Sequence, residues 1–190
     1  MPAVVAFWVL FYVWIGSETF LAWRLRRSRS AEAVASDARS IWVLIGSIWI
    51  GMIVGFQLAF LVPGAAFTQQ RLLLFVAGMV VAVAGLLFRW YSIWYLGESF
   101  TSVVATRPDQ RVVNTGPYRW IRHPSYTGAL LTVVGFLTCL TNPLALLGFV
   151  FPLIGYGYRI RVEEQTLVRN LGEPYRSYMG QTKRLIPFII

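Results

Sequence analysis

The stretch LLLFVAGMVVAVAGLLFRWYSIWYL, residues 72–96, carries one charge, at Arg89. A bilayer core about 30 Å thick takes about 20 apolar residues per helical crossing, so this segment spans a membrane unaided. Working outward, apolar runs also lie at about 3–23 and 41–62 and, beyond a polar stretch, at 127–141 and 143–160. Only the first three are long enough to span unaided. The last two form a helical hairpin turned at Thr141-Asn142-Pro143, because proline fits a first helical turn whose N–H has no intrahelical partner. Pro152, Gly148, Gly155 and Gly157 make its second arm irregular, and backbone freed at membrane depth must be satisfied by protein or a polar cavity. The fold class is therefore all-α: an integral-membrane bundle of five transmembrane helices in a single domain, 1–190, with three spans in 1–96 and the hairpin and polar stretches in 97–190.

Composition agrees. A chain 57% hydrophobic and 13% charged, with mean hydropathy +0.60, is excluded from the soluble globular class. The net charge of +9 then belongs with a membrane surface and not with nucleic acid. One cysteine, Cys139, excludes an intramolecular disulfide, and one histidine, His123, leaves too few ligands for a metal site. The first segment is not a signal peptide: nothing positive precedes it, and Ser17, Glu18 and Thr19 interrupt it where cleavage would fall.

Arginines at 24, 26, 27, 29 and 39 fill the first connection, whereas 63–70 and 141–142 carry no charge. The positive-inside rule places the N-terminus outside and the C-terminus inside. Both polar stretches, 97–126 and 159–190, then face the cytosol with 10 of the 17 basic residues and five of the eight acids, and a cofactor pocket is expected between them. Gly51 and Gly55 form a GxxxG that lets a neighbouring backbone approach, with packing inside the chain expected over dimerisation. Trp90, Tyr91, Trp94 and Tyr95 read as an interfacial belt, with Arg89 beside them expected to snorkel to the surface, the other reading being that it lines the pocket. Glu18 is either functional or hydrogen-bonded to a neighbouring span.

Two stretches carry chemistry. In Val112-Val113-Asn114-Thr115-Gly116-Pro117-Tyr118-Arg119-Trp120-Ile121-Arg122-His123-Pro124-Ser125-Tyr126-Thr127-Gly128, turn residues at 114–117 and Pro124 after His123 bend the chain twice before it enters the membrane. Tyr118, His123 and Tyr126 there can hold a flat, polar heterocycle by stacking and hydrogen bonds, although an interfacial anchor would have similar residues. In Arg159-Ile160-Arg161-Val162-Glu163-Glu164, Arg159 and Glu163 share a helical face and Glu164 points about 100° away. As an exposed pair they would contribute only about 0.3 to 0.5 kcal/mol; as ligand-binding groups, Glu163 would meet a cation and Arg159 an anion. Gly172, Glu173, Tyr175, Tyr178 and the closing Arg184-Leu185-Ile186-Pro187 suggest a short amphipathic segment on the membrane surface. No GxGxxG, P-loop, HExxH or GxSxG occurs.

Arg122-His123-Pro124-Ser125-Tyr126-Thr127-Gly128, a hydrophobic hairpin, Glu163-Glu164, Gly172-Glu173-Pro174-Tyr175 and Ile186-Pro187 together resemble the isoprenylcysteine carboxyl methyltransferase family. More broadly they are similar to the integral-membrane methyltransferases that include phospholipid methyltransferases. The resemblance covers roughly residues 97–190. It implies methyl transfer from S-adenosylmethionine, with S-adenosylhomocysteine as product, to the carboxylate of a lipidic or isoprenoid-like substrate held in the bilayer. By position, the resemblance assigns the cofactor shell to Gln110, Arg111, Val112, Val113, Tyr118, His123, Pro124, Ser125, Tyr126 and Glu163, and gives Arg159 the substrate carboxylate. Ala105 stands where the eukaryotic enzymes have a glutamine, a departure at one cofactor contact, and their N-terminal helices have no counterpart, which argues against a protein-prenyl substrate; a prokaryotic cytoplasmic membrane is expected. The chemistry agrees: a sulfonium cofactor with an ammonium and a carboxylate needs an acid, donors and aromatic faces, not a metal. Other readings are a sterol-reductase-like enzyme using a reduced nicotinamide, which shares the His-Pro block, a phospholipid N-methyltransferase, and a non-enzymatic membrane scaffold.

Overall fold

The computed structural model describes residues 2–26, 31–97 and 112–186. They form α1 (Pro2–Arg26), α2 (Ala31–Leu61), α3 (Arg71–Leu96), α4 (Pro124–Cys139), α5 (Val150–Leu171) and α6 (Glu173–Gln181). Tight 3₁₀ turns occupy Pro63–Ala65, Gly116–Arg119 and Pro143–Phe149. Among the described residues, four stretches are long and apolar enough to cross a membrane: Pro2–Leu21, Arg39–Leu61, Arg71–Leu96 and Pro143–Leu171. The chain is an integral membrane protein, and Val9, Ile53, Leu72 and Val80 face outward on α1–α3. Where the sequence pointed to three self-sufficient spans, the structure has a fourth. The 3₁₀ turns run into α5, which continues beyond Arg159 to Leu171, so turn and helix read as one long span.

At the hairpin turn the Asn142 side chain caps the Pro143 turn by accepting from the Leu144 amide at 3.0 Å. The same side chain donates to the Val62 carbonyl at 2.9 Å, and the Phe67 amide donates to the Thr141 carbonyl at 2.9 Å. Both charge-free turns therefore sit at one end of the bundle. The start of α4, the polar half of α5 and α6 gather at the other end, with Tyr118 bonded to Ser92 near the end of α3.

Lipid tails are as apolar as leucine, so helices in a bilayer associate by close packing and not by hydrophobic expulsion. The α3–α4 seam is accordingly built from small residues: a Cβ on Gly135 would lie 2.4 Å from the Ala82 amide nitrogen, and one on Gly128 would lie 2.6 Å from that of Arg89. The GxxxG of α2 packs inside the chain as expected, since a Cβ on Gly51 would fall 2.5 Å from the Gly148 carbonyl oxygen. On α1, Phe7, Phe11 and Trp14 close on Phe136 of α4 with ring centroids 5.4, 5.4 and 5.3 Å apart.

Arg89 does not snorkel. It is buried, and its Nε and Nη2 donate to the two carboxylate oxygens of Glu18 at 2.5 and 2.7 Å, while Nη1 donates to the Ser125 carbonyl at 3.2 Å. A two-point carboxylate at the same depth satisfies a guanidinium that faces the bundle interior. Glu18 thus makes the hydrogen bond to a neighbouring span that was one of its two readings.

Candidate functional site

The polar groups converge where α4 begins. Gly116 turns with φ of 56°, and a side chain there would collide with the Tyr95 ring at 2.4 Å, so Tyr95 clamps the turn directly. Tyr118 points into the protein, donates to the Ser92 carbonyl at 3.2 Å and accepts on its own carbonyl from the Tyr178 hydroxyl at 2.7 Å. Burial pushes the Tyr178 hydroxyl up to about 12, which keeps it a donor.

The C-terminal segment then lies along the loop as a strap. Lys183 donates its amide to the Trp120 carbonyl at 3.2 Å, Arg122 to that of Lys183 at 2.7 Å and His123 to that of Arg184 at 3.0 Å. The Thr127 hydroxyl adds a bond to the Leu185 carbonyl at 2.7 Å. Glu164, buried on α5, fastens the arrangement: one carboxylate oxygen accepts from Arg122 Nε at 2.9 Å and the other from Arg184 Nε and Nη2 at 3.0 and 2.8 Å. That ion pair with Glu164 raises the Arg184 guanidinium above its ordinary value.

Glu163, one residue earlier, is half-buried and turned the other way. It accepts from the Tyr126 hydroxyl at 2.5 Å. Arg159, buried, donates through Nε to the same hydroxyl oxygen at 3.4 Å and through Nη1 to the Ser40 hydroxyl on α2. The Tyr126 ring stacks on His123 with centroids 5.4 Å apart and planes 2° from parallel, and its other neighbour is Tyr156 at 5.1 Å. His123 Nε2 lies 3.5 Å from Glu164, too long for a good hydrogen bond, and is a buried nitrogen with no hydrogen-bond partner among the described residues.

The structure thus brings Arg159, Glu163, Tyr126 and His123 together. Pro124 and Ser125 are buried in the first turn of α4, and Tyr118 is part of the supporting wall. Val112 and Val113 are half-buried, and Val112 with Asn114 faces Pro174, Ser177, Tyr178 and Gln181 of α6 across a cleft of about 400 Å³. Gln110, Arg111 and Ala105 lie outside the described residues. Sequence reasoning missed Ser40 and Arg184 as partners. Ser40 is 119 positions from Arg159 and has no local signal; the pairing of Arg184 with Glu164 follows only once the strap is in place.

Apolar helices sealed at one end around an acid, an arginine and stacked rings define an integral-membrane protein with a small polar site at its charged end. Residues 76–169 match the profile described as the Isoprenylcysteine carboxyl methyltransferase (ICMT) family. The protein-S-isoprenylcysteine O-methyltransferase of Saccharomyces cerevisiae is 37% identical over 117 residues, 60% of this chain and 49% of the relative. A probable protein-S-isoprenylcysteine O-methyltransferase of Oryza sativa subsp. indica is 34% identical over 115 residues, 59% of this chain and 60% of the relative. A solved structure of the eukaryotic intramembrane Ras methyltransferase ICMT aligns with 78% of this chain and 52% of its own, with a TM-score of 0.59 and 27% identity. Over residues 76–169 and through these relatives, the chain is similar to the isoprenylcysteine carboxyl methyltransferase family. It spans about half the length of the curated relatives it matches, as the shares of 49% and 60% show. These relatives are eukaryotic and lend no support to the expected prokaryotic membrane.

Proposed function

We propose that this chain is a membrane-embedded, S-adenosylmethionine-dependent methyltransferase that esterifies the carboxylate of a lipidated, isoprenylcysteine-like acceptor. The observation that carries the reading is the triad of Glu163, Tyr126 and Arg159, an acid and a guanidinium meeting on one phenolic oxygen at the edge of the apolar bundle. The residues present fit the cofactor: an acid that can take an ammonium, a ring stack of His123 and Tyr126, and a buried imidazole nitrogen left over for a hydrogen bond. When bound, S-adenosylmethionine supplies a methyl group activated by a positively charged sulfur. Glu163 would hold the cofactor ammonium. Val112, Val113 and, outside the described residues, Gln110 and Arg111 would hold the rest, with Pro124 and Ser125 placing the ring stack from beneath and Tyr118 bracing the wall.

Arg159 would hold the acceptor carboxylate by its planar fork. A carboxylate with pKa near about 4 is already ionised at neutral pH, so no residue has to remove a proton, and the protein's part is to align the oxygen and keep water out. An amine acceptor would need a base, the relatives are named as O-methyltransferases and the matching family is described as a carboxyl methyltransferase family, so phospholipid N-methylation, nicotinamide-dependent reduction and a bare scaffold are disfavoured. In the same reading α4 and α5 cross as a hairpin, completing five spans, and the arginine distribution puts the site and C-terminus in the cytosol.

The test is transfer of labelled methyl from S-adenosylmethionine to N-acetyl-S-farnesylcysteine by the purified protein in lipid nanodiscs, beside its methyl ester as a blocked control. Base-labile label on the free acid alone is expected. Binding of reduced nicotinamide without binding of S-adenosylmethionine would overturn the reading.

A further inference from the structure

We infer that Glu18 of α1 is a positioning residue for the transfer proposed above, acting through Arg89 on the Ser125 carbonyl and so on the first turn of α4. The inference rests on that functional reading. Phe7, Phe11, Trp14 and Glu18 are spaced by four, three and four residues, one stripe of a helix whose first three members are buried and whose last is half-buried. The first three pack on Phe136, and Glu18 takes the place where the stripe would otherwise continue apolar. It lies outside the segment that matches the family profile, 76–169.

The contact geometry gives the acid a directional task. A guanidinium has a rigid plane of donors. With Nε and Nη2 both fixed on the Glu18 carboxylate, at 2.5 and 2.7 Å, Nη1 can point only one way, and it meets the Ser125 carbonyl at 3.2 Å. The backbone of Arg89 is itself pressed on Gly128 one turn further along α4. Ser125 precedes Tyr126, whose ring rests on His123 and whose hydroxyl meets both Glu163 and Arg159. Glu18 therefore aims the donor that holds the turn from which the site's central hydroxyl projects.

A merely structural pair would tie α1 to α3 and neutralise Arg89, and two variants separate that role from positioning. Glu18→Gln leaves the guanidinium without its counter-charge; Glu18→Gln combined with Arg89→Met removes both charges, leaving no unpaired ion to disturb folding. Under positioning, turnover with S-adenosylmethionine and N-acetyl-S-farnesylcysteine, normalised to folded protein, falls about ten- to a hundred-fold in both, the order expected of a small misplacement, while both KM values stay within about threefold because binding contacts persist. Amide hydrogen exchange is the second readout: Tyr126 and Thr127, bonded to the His123 carbonyl at 3.0 and 3.1 Å, exchange faster in the double variant, with 133–139 unchanged. Wild-type turnover in the double variant, or unchanged exchange at 126 and 127, overturns the inference. Absence of methyl transfer by the wild type would instead overturn the functional reading, and the exchange measurement would still decide the role of Glu18.

Discussion

Glu163 and Glu164 are sequence neighbours on α5 and face different partners: Glu163 meets the Tyr126 hydroxyl at 2.5 Å, and Glu164 is enclosed by Arg122 and Arg184 at 2.9 and 2.8 Å. The 100° turn between adjacent helical positions separates a carboxylate at the site from one that closes the protein around it.

Glu163→Gln should therefore weaken S-adenosylmethionine binding more than Glu164→Gln does. Losing a charged hydrogen bond costs about 1.5 to 3 kcal/mol, roughly ten-fold to over a hundred-fold in affinity. Calorimetry on the purified variants checks this, and equal affinity for wild type and Glu163→Gln would remove that residue from the site.

Glu164→Gln should act on the fold. Breaking a buried ion pair from one side costs about 3 to 5 kcal/mol, and here it releases the strap. Proteolysis should cut beyond residue 171 in this variant well before it cuts the apolar helices. A strap as resistant as the wild type's would mean that its main-chain bonds to 120–123 suffice.

Arg159→Lys keeps a charge but loses the planar fork that fits a carboxylate at two points. It should spare cofactor affinity and depress single-turnover methyl transfer, and Arg159→Ala should depress it further. Transfer by Arg159→Ala at the wild-type rate, with cofactor saturating, would exclude the carboxylate clamp.

Much of this could be read from the residues alone. Hydropathy along 72–96 and the Pro143 turn disclosed the helices, because burial in lipid and proline's missing donor act locally. The Arg159–Glu163 face followed from helical periodicity. Arg89 misled for the opposite reason: its partner Glu18 is 71 positions away, and no window of sequence shows that two spans meet at one depth. The strap escaped notice likewise, since 183 and 184 bond to 120, 122 and 123 through main-chain groups that every residue type possesses.

Topology is open to a direct test. With Cys139 replaced, single cysteines at positions 2 and 183 should be labelled from opposite sides of the membrane. Labelling of both from outside would refute the five-span arrangement.

The small-residue contact between α3 and α4 bears also on motion. Where backbones touch at Gly128 and Gly135, one helix cannot slide continuously along the other, because the next comfortable register lies about a full turn away, roughly 5.4 Å. The two helices behave as one rigid plate carrying Tyr126 on its rim. In the proposed methyltransferase, admission and escape of small molecules would then run past α6 and the strap, which are held by hydrogen bonds and ion pairs that can part and re-form, so that one part of the site would serve as anvil and the other as hinge.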